Sequence, residues 1–491
     1  MTLFLIGLVI LLVGGIGYGR YCEKVFGPDD RVTPAVALAD GVDYVGMKKW
    51  KNQLIELLNI AGTGPILGPI QGILFGPIAF LTIPIGCVLA GSLHDYFVGM
   101  ISMRNEGAQI PRLMQKYIGS GTNKVYNIII WILMLLTGVV FIYTPGDLIV
   151  NDILGLDVNS GVIWVVYAII LLYYILATLF PIDAIIGRVY PIFGAFLIVS
   201  AIGVFVGVLF TGSADLHPIT EGALISAHPT GQSFIPVFFI TVACGIMSGF
   251  HGSQATLISR TVKSEREGRH TFYNMMLIEG FIAMCWAAGA MVLFNTTAAL
   301  DTPATLVVGE VSRRFMGNIG GLIAIVGVIV LPITSGDTAF RSLRLMIAEQ
   351  FNIDQKAPAK RIMLSIIIFI PALAILFFAK SNAEGFNLLW RYFGFTNQLV
   401  AVFALVLTAV YLKIHGKNYI IALAPAFFYT FVVISYICHA EIGFSLDARL
   451  GMDGYTVSYI VGVVAAVLMV LFVNKASSHN KDEILRLDNA H

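Results

Sequence analysis

The sequence predicts an all-α polytopic membrane protein with about 13 transmembrane helices. Its core reads as a five-plus-five inverted repeat in which each half opens on a broken helix. Three observations carry this. The 491-residue chain is 57% hydrophobic and only 12% charged, where a soluble protein carries roughly a quarter charged residues. Its Lys and Arg residues fall almost wholly in alternate loops. Finally, Gly62-Thr63-Gly64-Pro65 and Gly249-Phe250-His251-Gly252 interrupt two hydrophobic helices five spans apart. Lipid cannot satisfy the backbone groups such breaks expose, so the breaks must line a cavity or touch buried protein.

A window of about 19 residues places apolar spans near 3–18, 54–74, 77–101, 125–149, 161–180, 189–210, 233–250, 272–294, 319–340, 362–379, 387–412, 419–437 and 456–473. The first has no Lys or Arg before it and no small-residue cleavage site, so it reads as a retained span and not a signal peptide. About 25 Lys and Arg residues share one set of loops and about 4 the other, with Arg391 inside a span. The split puts the N-terminus outside and the C-terminus in the cytoplasm. Span 2 then runs outward and span 7 inward, so an odd offset of five inverts the second copy. The expected organisation is a peripheral first span and cytoplasmic segment over 1–53, a first core repeat over 54–210 and a second over 233–412. Two peripheral spans over 413–473 and a polar, mobile cytoplasmic tail over 474–491 follow.

Composition also excludes. A net charge of +1 gives no sign of a nucleic-acid partner. Five cysteines without paired spacing make neither a disulfide framework nor a zinc site. No phosphate-binding loop is present for direct ATP drive, and H-E-x-x-H is absent. No enzyme activity and no cofactor are expected beyond a coupling ion. The expected partners are a small-molecule substrate and the lipid membrane.

The first break carries Ala61, Gly62, Thr63, Gly64 and Pro65, with Gly68-Pro69 a turn on. The prolines lack amide hydrogens and the glycines admit a ligand or another backbone. Half-helix ends there suit a carboxylate or a cation, whereas a packing kink is the plainer reading. The second break adds Phe250, His251, Ser253 and Gln254. His251 either contacts substrate or is simply hydrogen-bonded. In span 9, Thr334, Ser335, Asp337 and Thr338 offer hard oxygens suited to sodium, and Asp337 can take a proton. Alternatively the hydroxyls bond back to helix carbonyls and Asp337 pairs with Arg341. His94, Asp95 and Glu279 could complete a proton relay with Asp337, although Asp95 could instead pair with Arg104. Arg391, near the outer end of span 11, either holds a carboxylate bidentately or snorkels to the interface. Asn397 and Gln398 read as amides that cross-link helices.

At Ala39-Asp40-Gly41-Val42-Asp43-Tyr44, Ala61–Pro65 with Gly68-Pro69, His94-Asp95-Tyr96, Cys244–His251, Thr334–Thr338 and Trp390-Arg391-Tyr392-Phe393-Gly394, the chain resembles the carbon starvation protein A family of bacterial inner-membrane transporters. Gly46 stands where the family often has Pro, and the chain is shorter than the long members. The resemblance implies a core of the amino acid–polyamine–cation superfamily type. It also implies secondary uptake of peptides or pyruvate during carbon starvation, driven by protons with sodium as the alternative. In sodium-coupled relatives the ion would sit at positions matching Thr334, Ser335, Ala61 and Gly64. A channel, or a nutrient sensor acting through a partner, is the rival reading.

Overall fold

The computed structural model describes the chain except residues 42, 180–181, 213–215, 217–227, 294–303, 356, 383, 480 and 490–491, and the side chains of 179, 182–191, 358, 483, 487 and 489. Val42 of the family motif, Lys356 of the charge split and the side chain of Arg188 therefore lie outside the described residues.

Apolar runs with their backbone bonds closed internally give helices along the whole chain. In order they are α1 (Thr2–Phe26), α2 (Lys49–Ile60), α3 (Gly64–Phe75), α4 (Ala79–Arg104), α5 (Ile110–Tyr117) and α6 (Ser120–Ile153). Next come α7 (Val162–Leu179), α8 (Ile182–Phe210), α9 (Gly249–Ile258), α10 (Glu265–Leu293) and α11 (Ala304–Gln350). The chain closes with α12 (Pro358–Ser381), α13 (Gly385–Ile414), α14 (Ile420–His439), α15 (Thr456–Ser478) and α16 (Lys481–Asn489). Among the described residues ten helices are long and apolar enough to cross a membrane, and the pair α2–α3, bent by 47°, makes eleven. The predicted count of about 13 includes two elements that fall short of that length test in one piece. These are the shorter α7 and the segment 234–258, which is cut into short turns before α9. Gly317 kinks α11, so a helix precedes the span predicted at 319–340.

The half-helix α3 packs on α10 and on the turn Ala243–Ile246, while α9 packs on α2, α4 and α13. The long α6 and α11 run against each other, with α8 along α11. The α14–α15 pair sits beside α13 at the rim. Only 28% of α15's apolar window is buried against 83% of α13's, which makes the peripheral and central helices plain.

Loops predicted to share a side do meet. Arg104 pairs with Glu265 at 2.8 Å, Arg269 with Glu23 at 2.7 Å and Arg266 with Asp30 at 2.7 Å. On this basic face the Arg31 guanidinium beside Asp29 holds its carboxyl well below the usual range. The ion pairs Lys380–Asp147 and Arg313–Asp152 mark the opposite face. The tail, expected to be mobile, is instead helical and docked. Asp488 of α16 accepts from Tyr117 at 2.9 Å, lies 3.1 Å from His415 and bonds Lys116, while Ile484 is buried.

A cavity of about 710 Å³ opens on the face opposite the basic loops, lined among others by Gln71, Phe75, Thr241, Trp390, Arg391 and Tyr436. Towards the basic face lies a void of about 30 Å³ between Asn59, Gln254, Thr261, Thr338 and Arg341.

Candidate functional site

The first break is where the sequence puts it. Helix α2 ends at Ile60, and Ala61, Gly62 and Thr63 carry the bend. Pro65 falls in the first turn of α3, where its missing N–H costs nothing. The second break lies earlier than expected. Cys244 is extended at ψ 145°, Gly245 is left-handed at φ 92°, and Met247 and Ser248 are extended. Gly249, Phe250, His251 and Gly252 are not the interruption but the first turn of α9.

Side chains from α13 satisfy the freed backbone. Asn397 Oδ1 accepts from the Phe250 N–H at 3.0 Å and the Ser248 hydroxyl at 3.1 Å. The Gln398 amide donates to the Met247 carbonyl at 3.0 Å and to that of Phe239 at 3.2 Å. These two amides thus hold the unwound stretch open, which is more than cross-linking helices.

The two breaks face each other in direct contact, so each touches buried protein, one of the two outcomes expected. A Cβ added to Gly64 would lie 2.2 Å from the Cβ of Cys244, and one at Gly68 would lie 2.9 Å from the Thr241 carbonyl oxygen. Only glycine permits that approach. The open cavity lies above this seal, with Thr241 among its lining residues.

Immediately beside the breaks is a wholly buried titratable cluster. His94 Nδ1 lies 2.8 Å from Asp95 Oδ1, and His251 Nδ1 lies 3.2 Å from Asp95 Oδ2. His251 Nε2 lies 3.5 Å from Glu279 Oε1. His251 is next to the Ile60 backbone at the first break, and Glu279 is next to the Gly245 backbone at the second. His251 thus joins two carboxylates carried by α4 and α10. Two histidine nitrogens on one carboxylate and a third facing another can store and relay a proton. Asp95 does not pair with Arg104, which Glu265 occupies.

Asp337 stands apart from this cluster. Its carboxylate accepts from Tyr173 at 2.8 Å and from Thr338 at 3.2 Å, with Arg341 nearby. The expected relay of Asp337 with Glu279 and Asp95 is therefore split in two, because α11 turns Asp337 towards α7. Of the expected sodium ligands, Thr334 bonds back to the Leu331 carbonyl at 2.8 Å. Ser335 Oγ does reach the first broken helix, lying 3.0 Å from the Asn59 carbonyl and 3.3 Å from that of Leu58, not at Ala61 and Gly64. Gly62 lies against Phe141 and Ser335. Thr63, Ser253 and Gln254 are buried, each with a side-chain oxygen that has no partner. Phe250 packs edge-on to Phe141. Arg391 is exposed in the outer cavity, away from the seal.

Sequence reasoning missed Glu56. It is fully buried on α2, beside Gln254 and near Asp95 and Glu279, and neither of its oxygens has a hydrogen-bond partner. A carboxylate in the span predicted at 54–74 was the available signal. Tyr173, on a span read only as apolar, was missed too.

A family model described as carbon starvation protein CstA matches residues 1–169, 146–316 and 309–436. An uncharacterized membrane protein of Haemophilus influenzae is 39% identical over 61% of this chain and 93% of its own. The peptide transporter CstA of Bacillus subtilis is 25% identical over 99% of both chains. The pyruvate/proton symporter BtsT of Escherichia coli is 28% identical over 60% of this chain and 49% of its own. Among solved structures, MhsT in complex with L-phenylalanine superposes with a TM-score of 0.60 at 13% identity, covering 87% of this chain and 99% of that one. A manganese transporter of Eremococcus coleocola gives 0.56 at 12%, covering 91% and 99%. These share the inverted-repeat transporter fold with broken helices. By its length, its helices and its relatives this is a multi-pass membrane transporter, and the chain belongs to the carbon starvation protein CstA family.

Proposed function

We propose that the chain is a secondary active symporter that takes up peptides or pyruvate-like small carboxylates across the bacterial inner membrane, driven by protons and linked to carbon starvation. The repeats run over 54–210 and 233–412, the N-terminus is outside and the basic face is cytoplasmic. No cofactor takes part beyond the coupling ion. Substrate enters the outer cavity, where Arg391 draws in its carboxylate, and settles at the seal between Gly64 and Cys244 once that contact parts. Gly62, Thr63, Gly249, Phe250, Ser253 and Gln254, on or just after the two breaks, are the residues assigned to hold it. The observation that carries this reading is the Asp95–His251–Glu279 chain, buried where the two broken helices meet. Relatives named peptide transporter and pyruvate/proton symporter support the substrate class and the proton.

The test is uptake of labelled pyruvate and labelled dipeptides into proteoliposomes, with pH and sodium gradients imposed independently. The proton reading expects accumulation under an inward acid gradient alone. The contact of Ser335 with the Leu58 and Asn59 carbonyls favours a second reading, sodium coupling at that point. Accumulation that follows sodium and ignores pH would establish it and remove the proton.

A further inference from the structure

Glu56 enters none of the steps above. It lies on α2 one turn before the first break, wholly buried, with both carboxyl oxygens unpartnered. The groups that face it are Gln254 from α9, Asp95 from α4 and Glu279 from α10. His251 stands among them, 3.2 Å from Asp95 and 3.5 Å from Glu279, whose two oxygens also lack a hydrogen bond. Three carboxylates therefore share a buried space with His94 and His251, and the ion partners of Asp95 and Glu279 there are these histidines, not Lys or Arg. Several like charges so placed are far too costly without protons. Asp95 has two histidine contacts to stabilise its charge, and Glu279 has one. Glu56 has no histidine contact and only the Gln254 amide beside it, so it is the carboxyl that most needs a proton.

A route away from Glu56 is visible. Gln254, next to Glu56 and with Oε1 unpartnered, also lines the void of about 30 Å³ on the basic side. That volume suits a single water, and Asn59, Thr261 and Thr338 supply polar walls. Arg341 is the charged group at its edge.

Resting on the symporter reading, we propose that Glu56 carries a coupling proton in the outward-open state and releases it towards the basic face through the Gln254 void. In the release step the Glu56 O–H bond breaks, the proton passes to a water in the void, and the carboxylate remains. The negative charge left behind must then be met by a proton or by a cationic group of the substrate before the next cycle.

The test uses the full chain in proteoliposomes with Glu56→Gln and Glu56→Asp. In Glu56→Gln, acid-driven accumulation should fall by about tenfold or more while counterflow exchange persists and loses its pH dependence. Glu56→Asp, still titratable, should keep pH-dependent exchange. A protonated-carboxyl band in the infrared spectrum should disappear in Glu56→Gln and remain in Asp337→Asn. Glu56→Gln that accumulates like wild type, or exchanges with the wild-type pH profile, overturns the proposal. So does wild-type protein whose protonated-carboxyl band is unchanged by that substitution, a readout independent of transport. Wild type with no acid-driven accumulation brings down the proton-coupled reading itself, whereas a proton-driven wild type with an indifferent Glu56→Gln brings down this inference alone.

Discussion

His251 Nδ1 lies 3.2 Å from Asp95 Oδ2, so the second half of one broken helix is tied to a neighbour from the other half of the chain. Both side chains are fully buried. Any rotation of α9 against α4 must stretch or break this contact, which under the proposed proton coupling would tie proton occupancy to helix movement. Removing one partner of such a pair leaves the other uncompensated, at roughly 3–5 kcal/mol. His251→Ala should therefore lower thermal stability in detergent and also lose accumulation. Stability and accumulation both at the wild-type level would show that the contact contributes nothing.

The seal between the breaks makes a reciprocal prediction. Gly64→Ala puts a Cβ against Cys244, and overpacking of this kind costs roughly 1–3 kcal/mol. Uptake should fall sharply. Cys244→Gly removes the opposing Cβ and Sγ and leaves only the Cα, 3.7 Å from the added carbon. The double variant Gly64→Ala/Cys244→Gly should therefore recover much of the uptake lost in Gly64→Ala. A double variant as impaired as the single one would mean the breaks do not meet in this way.

Asn397 caps α9 from another helix. Replacing it with Ala strips a partner from the Phe250 N–H, which is buried, and the expected cost is about 1–3 kcal/mol. Asn397→Asp keeps the acceptor and should be the milder change. Thermal unfolding in detergent reads both, and equal losses would count against the cap.

Asp337 is held by Tyr173, Thr338 and Arg341 and lies apart from the histidine cluster. Asp337→Asn should reduce the yield of folded protein, while each folded molecule still accumulates substrate under an acid gradient. Accumulation abolished with exchange spared would instead make Asp337 the coupling carboxylate.

The tail offers a pH dependence outside the membrane. Burial would raise the Asp488 carboxyl, but bonds from His415, Lys116 and Tyr117 outweigh it and hold the group below its ordinary value of 3.8. A depressed carboxylate contributes stability above its unfolded value and loses it as pH falls through the folded one. Docking of α16 should thus be firm at neutral pH and weaken only below about pH 4. Proteolytic release of the tail, fast for Asp488→Asn at neutral pH and slow for wild type, checks this.

The sequence made the first break legible because Gly62, Gly64, Pro65, Gly68 and Pro69 are local breakers whose effect needs no partner. The spans and the charge split were legible for the same reason, since hydropathy and Lys/Arg placement are local quantities. The second break was misplaced because Val242–Ser248 looks like ordinary apolar helix. Its unwinding is enforced by Asn397 and Gln398, some 150 residues away. Glu56 was marked only by being a carboxylate inside a predicted span, and it is folding that brings Asp95, Gln254 and Glu279 round it. Asp337 was grouped with Asp95 and Glu279 because depth in the membrane can be read from sequence and helix facing cannot.

The most direct measurement is labelled-substrate transport by Asp95→Asn in proteoliposomes, with counterflow exchange and acid-driven accumulation recorded on the same preparation. If the buried cluster at the meeting of the two breaks couples the proton, exchange survives and accumulation falls by about tenfold or more. Accumulation at the wild-type level under the same acid gradient would contradict it.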